Sequence, residues 1–188
     1  MDAIEIFFAA YGALLALAVG RLVVGAARLI EHRKAIRIGW LTPLLMLILL
    51  NDVSIFISSA WRTLGAIEPG QRLVLVCLCA AGAYNLATRL VVPSVVTEGL
   101  DLDAWYDRQK RYVIGGLILA SLLGVEAAQV IATGSFAVMA GHWTGLSLVL
   151  NSAFYGMLVV LMLIRNRATN IFLLATLNVL YLAVMFAF

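Results

Sequence analysis

Six mostly apolar stretches, each long enough to cross a bilayer, leave this 188-residue chain little other material to fold with. They run from about Ile4 to Ile30, Ile38 to Trp61, Leu73 to Val92, Tyr112 to Thr133, Thr144 to Ile164 and Ala168 to Phe188. Roughly 20 apolar residues, each rising about 1.5 Å, suffice to cross about 30 Å of hydrocarbon. Lipid offers the backbone no hydrogen bonds, so each run must satisfy its own N–H and C=O groups, which it does as a helix. Charged residues are 12% and hydrophobic residues 64% of the chain, against about 25% and roughly 45–50% in soluble proteins. That balance argues against a soluble globular enzyme. The expectation is an all-α polytopic integral membrane protein, one domain over residues 1–188 with six transmembrane helices.

Lys and Arg near span ends resist translocation, so their distribution predicts orientation. Arg28, Arg33, Lys34 and Arg37 flank the first turn, Arg89, Arg108, Lys110 and Arg111 the third, and Arg165 and Arg167 the fifth. Only Arg62 and Arg72 fall on the opposite side. Both termini are therefore expected to be extracytoplasmic, in a bacterial inner (plasma) membrane. Trp40 and Trp105 then lie at the cytoplasmic interface and Trp61 and Trp143 at the outer one, the levels that indole rings prefer. The start of the chain carries Asp2 and Glu5 where a secretory signal would be basic, so the first span is expected to be retained.

Between the third and fourth spans, Asp101 and Asp103 precede Arg108, Lys110 and Arg111, the charge order favoured by a helix dipole. Leu102, Trp105 and Tyr106 recur at i, i+3 and i+4, which predicts a short amphipathic cytoplasmic helix lying on the leaflet before the fourth span. Asp101, Asp103 and Asp107 do not share one helical face, which argues against a magnesium site. Gly116, Ala120, Gly124, Ala128 and Ala132 stand four apart in the fourth span, with a shorter series, Gly12, Ala16 and Gly20, in the first. Small residues let helices approach closely in lipid. Their partners are either other spans of the same chain or a second copy, and an oligomer is expected.

Ionisable residues at membrane depth carry the functional reading, because an unpaired charge there costs several kcal/mol. Three stand inside the spans: Arg21, Asp52 and Glu126. Arg21 and Asp52 are symmetric about the first turn, and Asp52 and Glu126 each lie fifteen residues beyond a basic boundary residue, Arg37 and Arg111. All three are expected at one level, about 20 Å from the cytoplasmic boundary, with Asn51, Asn151 and Asn178 nearby. Asp52 is expected to pair with Arg21 across the hairpin. One guanidinium cannot neutralise two carboxyls, so one carboxyl, taken to be Glu126, should hold a proton or recruit a cation.

Helical phase places Ser59 and Thr63 on the face of Asp52, and Gln129 and Thr133 on the face of Glu126. Thr144, Ser147, Asn151 and Tyr155 draw a polar line along the fifth span. These residues predict a funnel open from the outer side and closed at the midplane. The expected function is a small transporter or channel for a proton or small monovalent cation. The alternative is a non-transporting subunit or sensor whose buried charges dock a partner or ligand.

Other functions lack their residues. His32 and His142 fall at opposite interfaces, which leaves no haem pair, and Lys34 and Lys110 are expected at the interface, away from any retinal-type Schiff base. Cys77 and Cys79, two apart on one helix, face different sides and form neither a bridge nor a zinc site. No cofactor or metal is expected. The net charge of +3 is spread over short loops without a basic stripe, so no nucleic acid partner is expected.

Overall fold

The computed structural model describes residues 3–64 and 70–187, excluding the side chains of residues 3, 59, 61–64, 138, 142, 184, 186 and 187. The side chains of Ser59, Trp61, Arg62, Thr63 and His142, which carried expectations above, therefore lie outside the described residues. The helices are α1 (Ala3–Glu31), α2 (Leu41–Leu64), α3 (Gln71–Val91), α4 (Leu102–Ser121), a π-helical turn (Leu122–Ala127), α5 (Ala128–Thr133), α6 (Phe136–His142), α7 (Gly145–Leu163) and α8 (Arg167–Ala187). Five helical stretches are long and apolar enough to cross a membrane: Ile4–Glu31, Leu41–Ser58, Gln71–Val91, Leu102–Thr133 and Gly145–Leu163. The apolar stretch of α8, Arg167–Ala183, is shorter. The architecture is all-α and compatible with a multi-pass membrane protein.

The separate amphipathic helix expected before the fourth span is instead the first turns of one continuous helix of 32 residues, Leu102–Thr133. No proline interrupts it. Its start is set by Asp101, whose carboxylate accepts from the N–H groups of Asp103 at 2.9 Å and Ala104 at 3.2 Å. This satisfies two of the four N–H groups that a helix start leaves open. At about 1.5 Å per residue the helix is about 48 Å long, well over the thickness of a bilayer's hydrocarbon core.

The small-residue series of the fourth span packs within the chain. A Cβ added to Gly116 would come within 3.0 Å of the Ala87 Cβ and 3.3 Å of the Ala83 carbonyl, both on α3. One added to Gly124 would overlap the Phe56 ring of α2. Ala120 and Ala128 are buried as well. In lipid this closeness supplies dispersion contacts that hydrophobic burial does not. The series on α1 behaves differently: nothing lies within 4 Å of a Cβ built on Gly12 or Gly20.

At one end the first, third and fifth connections are laced together. The Arg37 N–H donates to the Leu100 carbonyl at 2.9 Å, Leu102 N–H to Arg37 at 3.2 Å, and Gly99 N–H to Ala35 at 2.8 Å. Gly99 adopts φ of 77°, a left-handed turn that glycine enters without Cβ strain. The Trp105 indole donates to the Leu90 carbonyl at 3.1 Å, and Arg111 Nε to the Met162 carbonyl at 3.2 Å. Arg167 lies 3.9 Å from the Asp101 carboxylate and 3.8 Å from that of Asp103. Gly39 makes room for Asp103, since a Cβ there would overlap its carboxylate. The three most basic connections thus share one end of the bundle.

Lys110, expected at the interface, is a buried part of this clasp at 3% exposure. Its ammonium donates to the Ile164 carbonyl at 2.6 Å and to Asp107 at 3.1 Å, and lies 5.5 Å from the centre of the Tyr106 ring. Ile164 caps the C-terminus of α7, where a cation meets unsatisfied carbonyls and the negative end of the helix dipole.

Candidate functional site

Asp52 of α2 and Glu126 of the π-helical turn face one cavity of about 190 Å³. Asn151, Phe154 and Tyr155 of α7, Ser121 of α4 and Tyr181 of α8 complete its polar and aromatic lining. Both carboxyl residues are buried, at 7% and 8% exposure. The Tyr181 hydroxyl donates to Asp52 Oδ1 at 2.6 Å, a short bond of the kind made to a carboxylate. Asp52 Oδ2 is buried and has no hydrogen-bond partner among the described residues. No Lys or Arg is among the described residues lining the cavity.

The walls explain why these groups meet. Phe154 stands edge-on to Tyr181 at 5.3 Å and to Tyr155 at 5.2 Å, which joins α7 to α8 beside Asp52. Tyr155 in turn stacks on Trp143 at 5.9 Å, so an indole from the segment before α7 continues the aromatic wall. Edge-on and offset ring pairs of this kind add about 0.5–1.5 kcal/mol beyond burial. On the other side, Tyr84 of α3 donates to the Leu49 carbonyl one turn before Asp52, and its ring lies 6.5 Å from that of Phe56. Phe56 then fills the space that Gly124 leaves.

Glu126 sits in the only π-helical segment among the described residues, Leu122–Ala127. A π-turn holds one residue more than an α-turn and is frequent at functional sites. No periodicity in the apolar sequence announces it.

The remaining predicted residues are distributed around this cavity rather than along one funnel. Asn51 donates to Asn178 Oδ1 at 3.2 Å, and Asn178 to the Leu44 carbonyl at 3.1 Å, a polar seam between α2 and α8. Gln129 is buried outside the cavity lining, and Thr133 donates to its carbonyl at 2.8 Å. Thr144 donates to the Gly141 carbonyl at 2.8 Å; it and Ser147 are exposed on the first turn of α7 and its approach.

Arg21 is the principal correction. It does not pair with Asp52: its guanidinium donates to Asn85 of α3, to Oδ1 at 2.9 Å and to the carbonyl at 3.2 Å. Asn85 is itself fixed by donating to the Leu14 carbonyl at 2.9 Å. Hairpin symmetry predicts depth, whereas the direction a side chain faces depends on which helix packs against its own. Here α1 lies against α3, and Arg21 follows that contact. Tyr181 was missed for the complementary reason, being a single hydroxyl in an apolar run. Asn170, Asn178 and Tyr181, spaced i, i+8 and i+11 along α8, would have marked the inward face.

Among the described residues no group of His, Cys, Asp and Glu is arranged to hold a metal ion. Comparison of the chain with protein-family models, with curated proteins and with solved structures returns no match.

Proposed function

We propose that this chain is a six-span protein of the bacterial inner membrane, α8 being the sixth span and both termini extracytoplasmic, that passes or exchanges a proton or small monovalent cation at the Asp52–Glu126 cavity. The observation that carries the reading is two buried carboxyl residues from separate helices lining one small cavity, with Asp52 Oδ2 lacking a hydrogen-bond partner among the described residues. Ionising both beside low-dielectric walls is costly, and a proton or cation between them relieves that cost. Asn151 and Tyr155 supply neutral oxygens for a partly dehydrated cation, and Tyr181 holds Asp52 in place. Arg21 has no role in this cycle.

The test is flux through purified full-length protein in liposomes under an imposed proton or potassium gradient. Wild type should exceed protein-free vesicles, and Asp52→Asn and Glu126→Gln should each lower the flux at least about tenfold, equivalent to about 1.4 kcal/mol. Cys79→Ser, on the exposed side of α3, should leave it unchanged. Absence of wild-type flux, or undiminished wild-type flux in both carboxyl variants, rejects the reading.

One observation favours the second reading, a subunit that docks a partner. Only Leu158 and Leu161 of α7 are buried, while Leu146, Leu148 and Val149 are exposed beside the cavity. A second copy or another membrane subunit laid on α7 would close the cavity, and cross-linking from Leu148→Cys in native membranes would reveal it.

A further inference from the structure

A second recess shares no lining residue with the carboxyl cavity. It is a groove of about 680 Å³ between α1 and α3, and Arg21, Arg28 and Arg89 all line it, without any Asp or Glu. Arg28 and Arg89 stand in the last turns of α1 and α3, at the laced end, and Arg28 donates to the Ser94 carbonyl at 3.3 Å. Arg21 is seven residues earlier on α1, about 10 Å deeper. None of the three is in an ion pair among the described residues. Between and beyond them the floor is small or apolar: Ala13, Ala16, Leu17 and Gly20. Gly20 opens onto free space, whereas Gly25, lower in the groove, is closed by Val92.

This arrangement is expensive in plain hydrocarbon. An arginine at the middle of a span costs about 2.5–3.5 kcal/mol on insertion scales, and Arg21 is exposed on the outer surface of α1 rather than turned into the bundle. An anionic ligand with a long apolar part meets each feature of the groove. Guanidinium groups bind phosphate through paired donors, and Arg28 and Arg89 stand in the last turns of their helices, where spanning helices would meet lipid headgroups. A strip of small residues running deeper admits an acyl chain close to the backbone.

We propose that the α1–α3 groove is a binding site for one anionic phospholipid. Its phosphate sits between Arg28 and Arg89, its glycerol ester carbonyls reach the Arg21 guanidinium held by Asn85, and one acyl chain lies over Ala13, Ala16 and Gly20. The site is independent of the carboxyl cavity.

Native mass spectrometry of the full-length protein in detergent, titrated with phosphatidylglycerol or phosphatidylcholine, tests the assignment. Wild type should hold phosphatidylglycerol at least about tenfold more tightly, and the double variant R28Q/R89Q should lose that preference, as expected for one or more charge-assisted hydrogen bonds. R21Q should weaken both lipids alike, since both carry ester carbonyls. R108Q/R165Q, a basic pair elsewhere at the same end, should retain the preference. Thermal unfolding of each variant in detergent reports folding, and Arg28→Lys/Arg89→Lys, which keeps both charges, should restore part of the preference in a folded protein. Equal binding of the two lipids by wild type, retention of the preference by R28Q/R89Q, or an equal loss in R108Q/R165Q would overturn the proposal. Displacement of the lipid by millimolar inorganic phosphate would also overturn it, by identifying a free anion as the ligand.

Discussion

Tyr181 and Asp52 are 129 positions apart in the chain and joined by a 2.6 Å hydrogen bond. That contact ties α8 to α2 at the level of the carboxyl cavity, and the Asn51–Asn178 bond repeats the tie one turn away. Loss of a hydrogen bond to a buried carboxylate costs about 1.5–3 kcal/mol. Tyr181→Phe should therefore lower the unfolding midpoint in detergent micelles and also reduce flux, because Asp52 loses its orienting donor. A midpoint and flux both equal to wild type would show that the bond does not matter to either.

Gly124 cannot carry a side chain while Phe56 occupies its place. Gly124→Ala should destabilise by about 1–3 kcal/mol through overpacking. Pairing it with Phe56→Leu should recover part of the loss, since the smaller side chain vacates the space. Denaturant titration of the two single variants and the double variant measures the coupling, and strict additivity would contradict the contact.

The cap at Asp101 gives a pH dependence with a definite sign. Hydrogen bonds from the backbone N–H groups of Ala104 and Asp103, with help from Arg167 and Arg37, hold its carboxyl below the usual aspartate range. A folded value below the unfolded one stabilises the fold above about pH 4, and that contribution is lost as pH falls through the lowered folded value. Asp101→Asn keeps a capping oxygen without the charge. The gap in melting temperature between wild type and this variant should be present at about pH 6 and should close toward about pH 3. A gap that widens on acidification would refute the assignment.

Lys110 offers a contrasting test at the same end. Lys110→Met keeps much of the side-chain volume and removes the donor to Ile164 and Asp107. Leaving Asp107 and the end of α7 without their cation should cost about 2–3 kcal/mol. Adding Asp107→Asn should return part of it. Thermal unfolding of both variants checks this, and a neutral Lys110→Met would mean that the ammonium is solvated.

The long helices were legible because run length follows from counting. The equal count of fifteen residues from Arg37 to Asp52 and from Arg111 to Glu126 pointed to a meeting of the two, and both line one cavity. The side chains' azimuths were not legible to the same degree. Arg21 faces Asn85 because α1 rests on α3, a long-range packing choice that leaves no local mark. Thr144 and Ser147 form a regular polar line in sequence yet are exposed in the structure, since periodicity identifies a face without naming its neighbour. The capping role of Asp101 was half legible: its charge order was read as a separate surface helix, although no residue between it and Ser121 forces a break.

The wide turn at Leu122–Ala127 changes the meaning of the four-residue spacing on either side of it. One surplus residue rotates everything beyond by about 100°. Gly116, Ala120 and Gly124 therefore belong to one contact strip, while Ala128 and Ala132 begin another, offset around the helix axis. What looks on paper like an unbroken zipper is two shorter ones, and Glu126 occupies the gap between their teeth.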